Sequence, residues 1–173
     1  CGVELNDTAA AYARESLGLD VRTGTVERVD ALDGTFDVVH MSMVLEHLYD
    51  PLGTLNSIGR ILKDGGQLIL SVPDLSGCEA RFFGDKAYTL QVPQHLQHFT
   101  PATITAFLEK TGFRVERIVH QKTKADLVKS AAYLEKRWLN SLMNNALIKG
   151  VILSPLVTLL AHFGKCIRMS VYA

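Results

Sequence analysis

Glu46 and His47 stand side by side in Met41-Ser42-Met43-Val44-Leu45-Glu46-His47, and two more histidines lie in Pro93-Gln94-His95-Leu96-Gln97-His98-Phe99. A carboxylate beside an imidazole can orient a substrate, take a proton or bind a metal. The plainer alternative is a capping acid and a packed histidine. His95 and His98, three apart, can share a helical face. A zinc site needs further ligands; Glu46 and His47 could supply them, but the chain has no closely spaced pair of thiolates. Histidines lining the mouth of a pocket, one of them accepting a proton, is the reading carried forward, with no metal assigned. Glu4 is a third candidate. A carboxylate at a strand end can accept both hydroxyls of a ribose, or can serve as a solvated acid near the next helix N-terminus.

These residues matter because of the elements that precede them. Cys1–Leu5 reads as the end of a buried strand, and Asn6 or Asp7 caps a helix that reaches about Leu17 and stops at Gly18. Val21–Thr25 and Phe36–Met43 read as strands, the latter apolar on both faces as a covered strand should be. Asp50-Pro51 starts a helix with Leu52, Leu55, Ile58, Ile61 and Leu62 on one face; Asp64-Gly65-Gly66 stops it. Gln67–Val72 is a fourth strand. The long connection Pro73–Gln94 suits a functional loop or lid. Thr100-Pro101 opens a helix ended by Gly112, Phe113–His120 is a fifth strand, and helices over Ala125–Met143 and Ala146–Phe163 precede a last strand, Cys166–Ala173. Strands alternating with helices give an α/β class with a mostly parallel sheet, and ligands of such sheets lie beyond the carboxyl ends of the strands.

Composition narrows the partners. The 173 residues hold 18 Lys and Arg against 18 Asp and Glu, which builds no broad basic field for nucleic acid. A local patch at Lys122, Lys124 and Lys129 is the exception. Cys1, Cys78 and Cys166 form neither a disulfide framework nor a metal pair, so a reducing cytoplasm is the expected compartment. No signal peptide opens the chain, and the start at Cys1 instead of Met points to a longer natural protein. Val151–Phe163 is apolar but short and broken by Pro155, so it reads as a core or cap helix. The sharper reading makes it a lid over an apolar acceptor, a dimer contact or a membrane-surface contact.

Four segments, in order, resemble class I S-adenosylmethionine-dependent methyltransferases of the quinone-biosynthesis and related small-molecule groups. They are Phe36-Asp37-Val38-Val39 through Leu45-Glu46-His47-Leu48-Tyr49-Asp50-Pro51; Leu62-Lys63-Asp64-Gly65-Gly66-Gln67-Leu68; Pro93, His95, His98 and Phe99; and Gly112-Phe113. The likeness is collinear from about Gly2 to Glu116. It implies a Rossmann-like sheet with an antiparallel last strand, and residues 123–164 as a helical insertion or cap within one domain. It implies S-adenosylmethionine as methyl donor and a small-molecule acceptor, with a hydroxyl as the group methylated. By position, Glu4 would take the ribose hydroxyls, Leu5, Thr25 and Val26 would surround the adenine, and Met41 and Ser42 would lie beside the methionine part. His47, His95 and His98 would face the acceptor, with His98 or His47 as base.

The chain departs from that pattern twice. The family's first strand and glycine-rich cofactor loop would precede Cys1, and that strand belongs between those ending at Leu5 and Met43; the chain alone is therefore expected to be inactive. Metal-binding quinone O-methyltransferases carry an acid three residues before the Glu-His pair, and here that position is Met43. Two alternatives stay open: a non-catalytic relative that binds a partner, and half of a nicotinamide-dependent dehydrogenase, ranked lower because no G-x-G-x-x-G is present.

Overall fold

The computed structural model describes residues 1–28, 33–121, 125–133, 141, 145–162 and 167–173. They divide into two compact units, one of Cys1–Val39 with Asp50–Gln67, the other of His40–Tyr49 with Leu68–Ala173.

The first unit begins with β1 (Gly2–Glu4), α1 (Asp7–Glu15) and β2 (Val21–Thr23). Asn6 is the N-cap of α1: its side chain accepts a hydrogen bond from the Ala9 amide at 2.9 Å, which satisfies one of the amides a helix start leaves unpaired. β1 and β2 are parallel, with Glu4 in register with Thr23. β2 is shorter than the expected Val21–Thr25, because Gly24, at φ +130°, turns the chain out of the strand while its amide still reaches the Glu4 carbonyl at 2.9 Å. A short 3-10 turn, Val26–Arg28, follows.

β3 (Phe36–Ser42) and β4 (Leu62–Pro73) each pass from the first unit into the second, with α2 (Pro51–Ile61) between them in sequence. Asp50 caps α2 by accepting from the Gly53 amide at 2.9 Å, and Pro51 occupies the first turn, where its missing N–H costs nothing. Leu55, Ile58, Ile61 and Leu62 are buried, as the helical period requires, while Leu52 is half-buried. The helix ends earlier than the glycines suggest: Leu62 is already extended, and β4 starts there. The glycines have another purpose. Gly65 sits at φ +75°, and a Cβ on Gly66 would lie 2.9 Å from the Lys63 carbonyl oxygen and 3.2 Å from that of Phe36. The first needs glycine for its backbone angle, the second for room.

The second unit continues with α3 (Cys78–Phe83), α4 (Pro101–Lys110), β5 (Arg117–His120), α5 (Ala125–Tyr133), α6 (Ala146–Ile148), a π turn at Lys149–Leu153, α7 (Ser154–His162) and β6 (Arg168–Tyr172). The long connection after β4 is thus partly ordered, by α3 and by 3-10 turns at Gly84–Lys86 and Tyr88–Leu90. β5 begins four residues later than Phe113. The Phe113 amide closes the end of α4 on the Leu108 carbonyl at 3.0 Å, and pairing with β6 starts only at Arg117 opposite Tyr172. Parts of the expected helices to Met143 and Phe163, of the span 123–164, and of the strand from Cys166 lie outside the described residues, as do Lys122 and Lys124.

The strands form two sheets, β1-β2 and β3-β4-β6-β5. β6 runs antiparallel to both β4 and β5, so the last strand has the expected sense. Among the described residues β1 and β3 are not hydrogen-bonded neighbours. Phe83, Ala87, Leu127, Ala131 and Ile167 pack α3, α5 and the start of β6 into one apolar cluster. Beside it, Asp126, fully buried, holds Arg168 through two bonds of 2.6 and 2.8 Å. The buried Glu79 accepts from the hydroxyls of Thr89 and Ser130 and from the Thr89 amide at 3.3 Å.

Candidate functional site

In the second unit the chain leaves β3 through Met43, which takes φ +55°, a left-handed angle unusual for a residue with a side chain. Its amide bonds to the Ser71 carbonyl at 2.8 Å, and the next turn, Leu45–His47, is a single 3-10 turn with Leu45 and Glu46 buried and His47 exposed. Backbone strain of this kind persists where the surroundings over-determine it, and it clusters at functional sites.

The segment Pro93–Phe99 lies against that turn. The Glu46 carbonyl accepts from the amides of Leu96 and Gln97 at 2.8 and 3.0 Å, and the His47 ring reaches the Gln94 carbonyl at 3.0 Å. His47, His95 and His98 are brought together: the His47 and His95 ring centroids are 4.7 Å apart, edge to face, and those of His95 and His98 are 6.4 Å apart. His95 and His98 do not share a helical face, the arrangement their spacing allows. Thr100 caps α4, so the helix begins only at Pro101 and both histidines stay in irregular chain.

Carbonyl contacts decide which ring nitrogens carry hydrogen. A carbonyl oxygen only accepts, so a nitrogen facing one is the donor and the other nitrogen of a neutral ring keeps the lone pair. Nδ1 of His47 faces the Gln94 carbonyl and Nδ1 of His95 faces that of Thr89 at 2.7 Å, leaving Nε2 of each as the basic atom. His98 is the reverse: its Nε2 faces the Leu90 carbonyl at 3.0 Å, leaving Nδ1. Burial lowers the pKa of His95, and His47, His98 and Arg168 push it the same way, against the Thr89 carbonyl. His95 is therefore a poorer proton acceptor than an ordinary imidazole.

Glu46, considered with His47 in the sequence but not carried among the site residues, is the larger surprise. It is fully buried, and neither carboxylate oxygen has a hydrogen-bond partner among the described residues. Burial raises its pKa, against its own amide and the charges of His47 and Arg168. One ligating atom each from Glu46, His47 and His95 lies within 4.8 Å of the others. The adjacency of an acid and a histidine was the available signal; burial was not legible. A second pair, the buried Asp74 and the half-buried His120 at 3.6 Å, carried no sequence signal.

Met41 is half-buried and Ser42 exposed at the end of β3, in the same unit as the histidines. Glu4, Leu5, Thr25 and Val26 belong to the first unit, at the paired ends of β1 and β2. Glu4 Oε1 accepts from the Asn6 amide at 2.8 Å. Leu5 is 72% exposed. Leu147, Val151, Ile152 and Leu159 are also exposed, and no helix among the described residues is long and apolar enough to cross a membrane.

A family model described as a methyltransferase domain matches residues 1–118. A protein of Mycolicibacterium smegmatis named as a probable S-adenosylmethionine-dependent methyltransferase is 28% identical over 116 residues, covering 66% of this chain and 43% of that protein. A ubiquinone biosynthesis O-methyltransferase of Xanthomonas euvesicatoria is 30% identical over 125 residues, covering 66% and 52%. The chain thus spans about half the length of these relatives. Among solved structures, a methyltransferase from Thermotoga maritima superposes with a TM-score of 0.65 at 21% identity, over 99% of this chain and 70% of that one. One from Archaeoglobus fulgidus gives 0.62 at 15%, over 99% and 74%. At such identities the likeness shows the fold, which is Rossmann-like.

Proposed function

Because the chain belongs to the methyltransferase-domain family, we propose that it carries the greater part of an enzyme that methylates a hydroxyl of a small molecule, with S-adenosylmethionine as donor. The observation that carries the reading is the histidine group in the connections leaving β3 and β4, within a chain of that family. The relatives named as ubiquinone biosynthesis O-methyltransferases support an oxygen acceptor.

The residues at the ends of β1 and β2 suit a nucleoside. Glu4 spends one oxygen on Asn6, and Oε2 is left to accept from ribose hydroxyls. Leu5 offers a bare apolar side chain that an adenine face would cover, with Thr25 and Val26 half-buried nearby in sequence to β2. Met41 and Ser42 are assigned to the amino-acid end of the donor. When bound, the donor supplies an activated methyl on a sulfonium, so the protein's task is positioning and proton removal.

For proton removal the base needs a lone pair and an open path. His47 offers Nε2 from an exposed ring and His98 offers Nδ1 from a half-buried one. His95, buried with its proton affinity lowered, shapes the pocket wall. Replacing His47 and His98 together by Gln in the whole protein is expected to lower turnover of phenolic and catecholic acceptors by about 10²- to 10⁴-fold, the usual worth of a positioned base. Donor affinity, read by calorimetry, should stay within about twofold. Unchanged turnover would remove the base role; loss of donor binding would make the histidines part of the nucleoside site.

A further inference from the structure

We propose, resting on the methyl-transfer reading above, that Arg168 held by Asp126 binds a carboxylate on the small-molecule acceptor, which makes the acceptor a hydroxylated acid. Arg168 opens β6 opposite Pro73, the last residue of β4. It therefore stands at the carboxyl end of that strand, where sheets of this kind meet their ligands. Its charge acts on both Glu46 and His95, so the guanidinium belongs to the neighbourhood of the histidines assigned to the acceptor.

A guanidinium is a planar fork of N–H donors with more than one usable edge. Asp126, fully buried on α5, takes the side edge, accepting from Nε at 2.6 Å and from Nη2 at 2.8 Å. The far edge remains: Nη1 and the second hydrogen of Nη2. Among the described residues Nη1 has no hydrogen-bond partner and is not one of the buried atoms, and the side chain is 25% exposed. The ion pair ties α5 to β6, but that task uses the side edge alone. The far edge presents parallel N–H groups that match both oxygens of a carboxylate, the strong bidentate form of this contact.

Asp126 contributes in two further ways. It fixes the plane of the guanidinium before any ligand arrives, so little side-chain freedom is lost on binding. It also offsets the cationic charge, so a carboxylate with its single charge suits the edge better than a more highly charged phosphate monoester. Glu46, whose pKa burial raises, is shifted toward the neutral acid and repels such a ligand less. An acceptor anchored by its carboxylate would be held while its hydroxyl meets His47 or His98.

The test reads binding and not turnover. Calorimetry of the whole protein, saturated with S-adenosylhomocysteine, compares dihydroxybenzoate with catechol, which differ by the carboxylate alone. Dihydroxybenzoate is expected to bind about 10- to 100-fold tighter, the usual worth of hydrogen bonds between charged groups. Arg168→Lys keeps a charge beside Asp126 but has no second edge, and Arg168→Gln removes the charge. Each should bring the ratio to within about threefold, with catechol and S-adenosylhomocysteine affinities kept within about twofold. The lysine variant carries the test if the glutamine variant does not fold. A ratio below about threefold in the wild type, no binding of dihydroxybenzoate up to about 10 mM, or a preference that survives in folded Arg168→Lys overturns the proposal. Loss of S-adenosylhomocysteine binding in folded Arg168→Lys overturns it too, by giving the guanidinium to the donor's own carboxylate. A protein that binds the acid tightly through Arg168 but never methylates it would sink the methyl-transfer reading and leave the carboxylate site standing.

Discussion

Replacing Glu46 is expected to make the fold more stable. A buried polar group left without a partner costs about 1–3 kcal/mol, and the buried Glu46 carboxyl is one such group, with neither oxygen partnered among the described residues. Glu46→Met removes both. Its slightly larger side chain gives back up to about 1 kcal/mol in a packed site. The net expectation is a gain of about 1–2 kcal/mol, or about 2–8 °C in melting temperature at about 2–4 °C per kcal/mol for a chain of this size. Glu46→Gln, nearly isosteric, removes the charge but keeps a polar amide and should gain less. Both are measured by circular dichroism in heat and in urea, at about pH 8. A loss of more than about 1 kcal/mol in both variants would refute the reasoning, since it would mean that the carboxylate holds the protein together through a partner. A gain would mean that the chain keeps a destabilising acid for use, as sites built for function commonly do.

Asp126→Ala should be the costliest of the polar changes in the second unit. It orphans Arg168, and breaking a buried pair costs about 3–5 kcal/mol; the guanidinium side chain is 25% exposed and can reach water, so about 2–3 kcal/mol is expected in urea unfolding. Thr54→Val removes the hydroxyl that donates to Glu27. Partial burial alone would raise the Glu27 pKa, but hydrogen bonds from Thr54 and Thr25 and the charge of Arg28 outweigh it and hold it below its ordinary 4.5. A depressed acid stabilises above its unfolded pKa and loses that contribution as pH falls through the folded value. The stability difference between wild type and Thr54→Val should therefore be widest near neutrality and shrink below about pH 4; because Glu27 is exposed, that pH-dependent part should stay under about 1 kcal/mol. A difference that grows with acid would reverse the assignment.

Short-range chemistry made much of the fold readable from the chain alone. Asn6, Asp50 with Pro51, and Thr100 with Pro101 cap helices where the sequence placed them, because a cap is a contract between residues two or three apart. The apolar spacing from Leu55 to Ile61 marked the buried face of α2 by helical period alone. Failures came at element ends: β4 starts at Leu62, and β5 waits for Arg117, because strand limits depend on the partner strand.

The chemistry divides along the same line. Residue types and order marked Glu46, His47, His95 and His98 as candidates, since an acid and imidazoles after strands are uncommon content for such turns. Tertiary structure alone decided that His47 meets a carbonyl 47 residues away, and that Asp126 meets Arg168 across 42. It also decided that Glu46 is fully buried while gaining no hydrogen-bond partner among the described residues. Burial and tautomer are set by which distant segments share a neighbourhood, and the local pattern of a single chain carries no term for that distance.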